Sequence, residues 1–105
     1  MDYEVTPEEA RAQLAAGKIV LLDVREPWEW AMARIDGSMH IPMGDIPMRL
    51  QELDPDHSMV VVCHHGVRSL NVTVWLRQQG FEKVQSLRGG LERWSRAVDA
   101  SGPRY

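Results

Sequence analysis

One cysteine, Cys63, is all the thiol chemistry this chain of 105 residues possesses. A lone cysteine excludes an internal disulfide, so cytoplasmic residence is the reading that follows. It also removes any resolving thiol, and whatever forms on Cys63 must be discharged to a group outside the chain. No apolar stretch approaches the roughly 20 residues needed to cross a bilayer, so no membrane is expected as partner. The acidic start Met1-Asp2-Tyr3-Glu4 has no basic-then-apolar signal segment. Positive charge is not in excess either: 12 Lys and Arg against 15 Asp and Glu leave a formal net charge of −3. That balance gives no reason to expect nucleic acid or an anionic surface as partner. Repeats, low-complexity tracts and linker-like stretches are missing too. Residues 1–105 are therefore expected to form one domain, and 44% hydrophobic residues suffice for one core.

What is present is an alternation of strand and helix patterns. A short extended piece at Tyr3–Val5 precedes Thr6-Pro7-Glu8-Glu9, a capping box with proline at the first helical position. That helix turns Ala10 and Leu14 inward and stops at Gly17. Ile19–Val24 is apolar except for Asp23, as in a strand buried on both faces. Residues 35–41 predict a short strand near their end, closed by Pro42, and Pro47–Leu53 predicts a short helix before the turn Asp54-Pro55-Asp56. Met59–Cys63 predicts a buried strand. Ser69–Gln79 predicts an amphipathic helix with Leu70, Val74 and Trp75 inward, ended by Gly80. Phe81–Leu87 predicts another strand, and Gly89-Gly90 turns the chain into a last helix holding Leu91 and Trp94. The tail after Val98, with Ser101-Gly102-Pro103, is expected to fray. Strands alternating with helices argue for a parallel sheet covered on both faces, with ligands bound beyond the carboxyl ends of the strands.

Cys63 falls at such an end, in Val62-Cys63-His64-His65-Gly66-Val67-Arg68-Ser69. Gly66 permits a tight turn, and a helix N-terminus follows whose unpaired N–H groups and dipole favour an anion. A thiol held there is poised as thiolate, the form that attacks electrophiles. The alternative is a buried structural cysteine at a strand end. Backbone N–H groups from His64 through Ser69, in a loop open to solvent, are expected to form an anion-binding nest around the sulfur. Arg68, which cannot lose its proton, is expected to brace that loop and add positive potential. Cys63, His64 and His65 are contiguous, and adjacent residues rarely share one tetrahedral ion, so no metal is expected.

Four motifs, in this order along the chain, make it resemble the single-domain rhodaneses, a sulfurtransferase family. They are Asp23-Val24-Arg25-Glu26 with Trp28-Glu29; Arg34-Ile35-Asp36-Gly37-Ser38 leading to His40-Ile41-Pro42; the loop Cys63–Ser69; and Leu87-Arg88-Gly89-Gly90 followed by Trp94. The likeness covers about residues 3–98. It implies a rhodanese-like three-layer α/β/α fold with a central five-stranded parallel sheet. It also implies a catalytic Cys63 that carries sulfur as a covalent persulfide and needs no other cofactor. The reaction expected is transfer of a sulfane sulfur from thiosulfate or a persulfide to a thiol, cyanide or a protein acceptor. Members of the family specific for thiosulfate often carry a fixed cation in this loop, where this chain has His64 and His65.

Two other readings compete. Tyrosine-type phosphatases and rhodanese-like arsenate reductases also use a Cys…Arg loop, but with one more residue between the pair than the four separating Cys63 from Arg68. The shorter loop suits a single sulfur atom. A partner-dependent sulfur carrier or regulatory binding module is the third reading; silent modules of this family typically lack the cysteine. Around the loop, Asp23 and Arg25 are expected to brace it as an ion pair, with Glu26 in the same brace. His64 and His65 either face an incoming anion with their rings or lend only backbone N–H groups. His40 is expected to cap local backbone. Trp28, Trp30 and Trp94 either line the mouth or fill the core, and Arg88 faces either the active side or solvent.

Overall fold

A computed structural model describes residues 1–98; the tail expected to fray lies outside them. The strands are β1 (Glu4–Val5), β2 (Val20–Asp23), β3 (Met39–His40), β4 (Met59–Val62) and β5 (Val84–Leu87). The helices are α1 (Pro7–Ala15), α2 (Pro27–Met32), α3 (Val67–Gln78) and α4 (Gly90–Ala97), with two 3₁₀ segments at Met43–Asp45 and Pro47–Glu52. The five strands form one sheet in the order β1-β5-β4-β2-β3, and every pairing is parallel.

Why β4 sits centrally follows from its sequence. Met59-Val60-Val61-Val62 offers no polar side chain and is buried throughout, as a strand covered on both faces requires. Its alternate residues feed two cores. Met59 and Val61 join Leu22, Val72, Leu76 and Phe81 on the α3 side, while Val60 and Val62 join Leu21, Ala10, Leu91 and Trp94 on the α1–α4 side. The register sets Asp23 beside Val62 in β4 and beside His40 in β3. The carboxyl ends of β2, β3 and β4 therefore emerge at one rim, and Cys63 is the first residue past β4.

Three expectations change. The segment after β2 forms helix α2, with proline in its first turn; six residues are too few for an apolar period to show in the sequence. Helix α3 is rotated from the predicted phase: Ser69, Val72, Thr73 and Leu76 are buried, Leu70 is half-buried and Val74 is exposed. Two small hydroxyl residues take the inner face because the helix packs closely on β4 and β5, and Ser69 is needed next to the sulfur. The region predicted as one helix at Pro47–Leu53 is two 3₁₀ turns with non-helical Arg49 between.

Candidate active site

Helix α3 begins without a side-chain cap. Its N-cap is Gly66, at φ +101, a left-handed conformation that L side chains rarely adopt. A Cβ there would also press on Gly89 N at 3.2 Å and Leu87 O at 3.4 Å. The N–H groups of the first helical turn need acceptors from elsewhere, and the Cys63 sulfur supplies one. Sγ accepts hydrogen bonds from Gly66 N at 3.1 Å and from Ser69 N at 3.3 Å. Both donors favour negative charge on that atom. Of the N–H groups expected in the nest, these two reach the sulfur. The thiol is not open to solvent as the sequence suggested: Cys63 is 1% exposed, sunk at the end of the α3-side core.

Two further layers hold the loop. Ser69 Oγ lies 3.3 Å from Sγ and 2.7 Å from Ser86 Oγ of β5, all three side chains being buried. From the opposite side, the first N–H groups of α4 donate to loop carbonyls, Leu91 N to Cys63 O at 2.9 Å and Glu92 N to His64 O at 3.1 Å. Helix α4 comes this near because Gly90 has no side chain. A Cβ on Gly90, at φ +63, would meet His64 O at 2.3 Å and Cys63 O at 2.5 Å.

Arg68 braces the loop through a partner that sequence reading named in a motif without assigning it a role. Its guanidinium donates from Nη1 to Glu29 Oε1 at 2.7 Å and from Nη2 to Glu29 Oε2 at 2.8 Å. This fork holds the Glu29 carboxyl at about 2, well below the usual 4.5, although burial of Glu29 pulls the other way. The same pairing raises Arg68. Glu29 is in turn placed by a second, buried pair. Arg25 Nε and Nη2 donate to Asp23 at 2.9 and 2.7 Å, while its Nη1 and Nη2 reach the carbonyls of Glu29 and Ala33 at 3.3 and 2.7 Å. With Asp23 and Arg25 both buried, the pair is neutralised and its donors are used, the condition for tolerating charge in a core. Asp23–Arg25 thus fixes α2, and α2 presents Glu29 to the Cys63 loop. Glu26, expected in that brace, is instead the exposed N-cap of α2, its N–H donating to Glu29 Oε1 at 2.9 Å.

The other residues divide clearly. The rings of His64 and His65 stack on each other with centroids 3.9 Å apart, His64 half-buried and His65 exposed. Val67 is exposed beside them. Trp94 is core, Trp28 is exposed, and Trp30 stacks on His40 with centroids 4.6 Å apart. His40 Nε2 bonds the Arg25 carbonyl at 2.8 Å, a backbone contact across two loops. Arg88 faces outward and pairs with Glu4 at 3.4 Å. Sequence reasoning missed the roles of Glu29, Ser86 and Gly90. Glu29 carried one signal, its place three residues after Glu26 at a helix start; Ser86 carried none.

The family model described as Rhodanese-like domain matches residues 6–97. The chain is 38% identical over 90 residues to the thiosulfate sulfurtransferase GlpE of Stutzerimonas stutzeri, covering 86% of this chain and 82% of that one. It is 38% identical over 97 residues to a sulfurtransferase of Allochromatium vinosum, covering 91% of each. Among solved structures, the human single-domain sulfurtransferase TSTD1 superposes with a TM-score of 0.87 at 25% identity, over 92% of this chain and 98% of that one.

Proposed function

Because this chain belongs to the rhodanese-like domain family and is a sulfurtransferase, we propose that Cys63 is its nucleophile and carries the transferred sulfur as a persulfide. The observation that carries this reading is the convergence of Gly66 N, Ser69 N and Ser69 Oγ on one buried sulfur. Two N–H donors, and a hydroxyl that can turn its proton to Sγ once the thiol proton is lost, make a site for a sulfur anion, where a structural cysteine needs none.

Cys63 thiolate attacks the sulfane sulfur of thiosulfate, releasing sulfite and leaving Cys63–Sγ–S⁻. An acceptor thiolate or cyanide then takes the outer sulfur and returns Cys63 thiolate. His64, His65, Gly66, Val67 and Ser69 form the binding loop, with Arg68 bracing it through Glu29 and Asp23–Arg25 supporting α2 from below. Thiosulfate as donor is suggested by the name of the Stutzerimonas relative; a protein or low-molecular-weight persulfide serves the same chemistry. No cofactor beyond the persulfide enters these steps. We place the reaction in the cytoplasm, in a single domain spanning residues 1–105, with no nucleic acid or membrane as partner. No helix among the described residues is long and apolar enough to cross a membrane.

The test is intact mass spectrometry after incubation with thiosulfate. The wild type should gain one sulfur atom and lose it on addition of a thiol, and Cys63→Ser should gain none. Sulfur transfer by Cys63→Ser at the wild-type rate overturns the assignment.

A further inference from the structure

We propose that Ser86 is a positioning residue for discharge of the sulfur, acting through Ser69 on the sulfur atom that Cys63 retains. The proposal rests on the persulfide reading above. Ser86 lies on β5 and Ser69 on α3, each 0% exposed, and Ser69 Oγ bridges Cys63 Sγ and Ser86 Oγ at 3.3 and 2.7 Å. A hydroxyl has one proton to give and can accept two, so this buried chain has two directions. With Cys63 as a thiol, S–H donates to Ser69 and Ser69 to Ser86. With Sγ anionic, the chain reverses: Ser86 donates to Ser69, and Ser69 turns its only proton to the sulfur. Without Ser86, the buried Ser69 hydroxyl lacks the donor that completes its bonding when its own proton is spent on Sγ.

The two half-reactions feel this hydrogen bond in opposite senses. In discharge, an acceptor thiolate R–S⁻ bonds to the outer sulfur of Cys63–Sγ–S⁻ while the Sγ–S bond breaks. Its electron pair stays on Sγ, giving R–S–S⁻ and Cys63 thiolate. Two negative charges stand on each side, and no proton or outside oxidant is consumed. Sγ is neutral at the start and anionic at the end, so a proton aimed at it stabilises the leaving group. In charging, Sγ starts anionic and ends neutral, and the same bond holds the nucleophile back. Ser86 should therefore speed discharge and leave charging unchanged or slightly slower.

The experiment follows charging by thiosulfate and discharge to cyanide separately, by rapid quench and intact mass. It uses wild type, Ser86→Ala, Ser69→Ala, the double variant and Ser86→Thr. Ser86→Ala should slow discharge about five- to tenfold, the range for losing support of one hydrogen bond to a charged atom. Charging should stay within about twofold of wild type or rise. The Ser86→Ala effect should vanish in the Ser69→Ala background, because the two residues act as one chain, and Ser86→Thr should restore discharge. Equal slowing of both half-reactions, a Ser86→Ala effect that persists without the Ser69 hydroxyl, or no effect at all overturns the proposal. Should Ser86→Ala lose cooperative unfolding, Ser69→Ala must show the same asymmetry, and symmetrical slowing there is fatal. A wild type that gains no sulfur overturns the persulfide reading itself, a result distinct from normal charging with unchanged discharge.

Discussion

Glu29 and Arg68 stand 39 positions apart in the chain and meet as a two-pronged ion pair at 2.7 and 2.8 Å, binding α2 to the first turn of α3. The pair changes the meaning of the arginine in the loop. Its charge is largely answered by Glu29 before it reaches the sulfur, and its planar fork serves chiefly to lock one helix start against another. Negative charge on Cys63 is met at contact distance by N–H and O–H groups.

This pair makes stability depend on acidity in a defined window. Glu29 is held at about 2 against an ordinary 4.5, so its contribution is complete above pH 4.5 and is lost as pH falls toward 2. Glu29→Gln should cost on the order of 2 kcal/mol at pH 7, allowing for solvent around the partly exposed Arg68. The gap between the two proteins should close between pH 4.5 and 2 in urea unfolding. A gap of constant size across that range would exclude the ion pair as its source.

Gly90→Ala tests the contact between α4 and the loop. The added Cβ cannot coexist with His64 O and Cys63 O at their present positions, and the backbone there has positive φ. The substitution should lower stability by about 2–4 kcal/mol and slow sulfur uptake by Cys63 more than tenfold. Gly37→Ala, also at positive φ but with open space around it, should cost only about 1–2 kcal/mol and leave uptake near wild type. The comparison is made by thermal unfolding and thiosulfate-driven mass gain.

Replacing an exposed imidazole with a permanent cation should discriminate between donors. His65→Lys sets a fixed positive charge on the loop, so kcat/KM for the dianion thiosulfate should rise several-fold at low salt and fall back at high salt. A neutral organic trisulfide donor should show little change. Equal gains for both donors would mean that charge at position 65 is not what selects them.

Loop length predicts what the site rejects. Four residues separate Cys63 from Arg68, one fewer than in the phosphatase loops, so aryl phosphates should release negligible phosphate in a preparation active in sulfur transfer. Inserting one glycine between Gly66 and Arg68 moves Ser69 and its N–H donor away from Sγ, and sulfur transfer should drop at least tenfold. Cys63-dependent phosphate release by the wild type at a rate comparable to sulfur transfer would contradict the geometry.

Much of this was legible along the chain because it is local. The apolar run Met59–Val62 announces a covered strand, Thr6-Pro7 a helix start, and Gly66 the turn that sets Cys63 against a helix N-terminus. The Asp23–Arg25 pair was readable because two residues on one strand end have little choice of partner. The rest depends on chain segments meeting in space. Helix α2 is too short to carry a period, and its Glu29 finds Arg68 only once the sheet has ordered β2 beside β4. Ser86 reads as an ordinary residue in a strand pattern until α3 is laid on β5. The phase of α3 failed for a related reason, since apolar spacing favoured Leu70 and Val74 while close packing on the sheet selected Ser69 and Thr73.

The two α4 amides that hold the carbonyls of Cys63 and His64 have a consequence for the speed of the chemistry. In a trans peptide the N–H points opposite to its C=O, so pinning those oxygens toward α4 turns the N–H groups of His64 and His65 away from it. The loop that carries the Gly66 and Ser69 N–H groups to Sγ is thus fixed before any charge arrives. Water would have to reorganise around each new anion, whereas this loop is already set for it, and the cost of rearranging the surroundings is borne once, during folding.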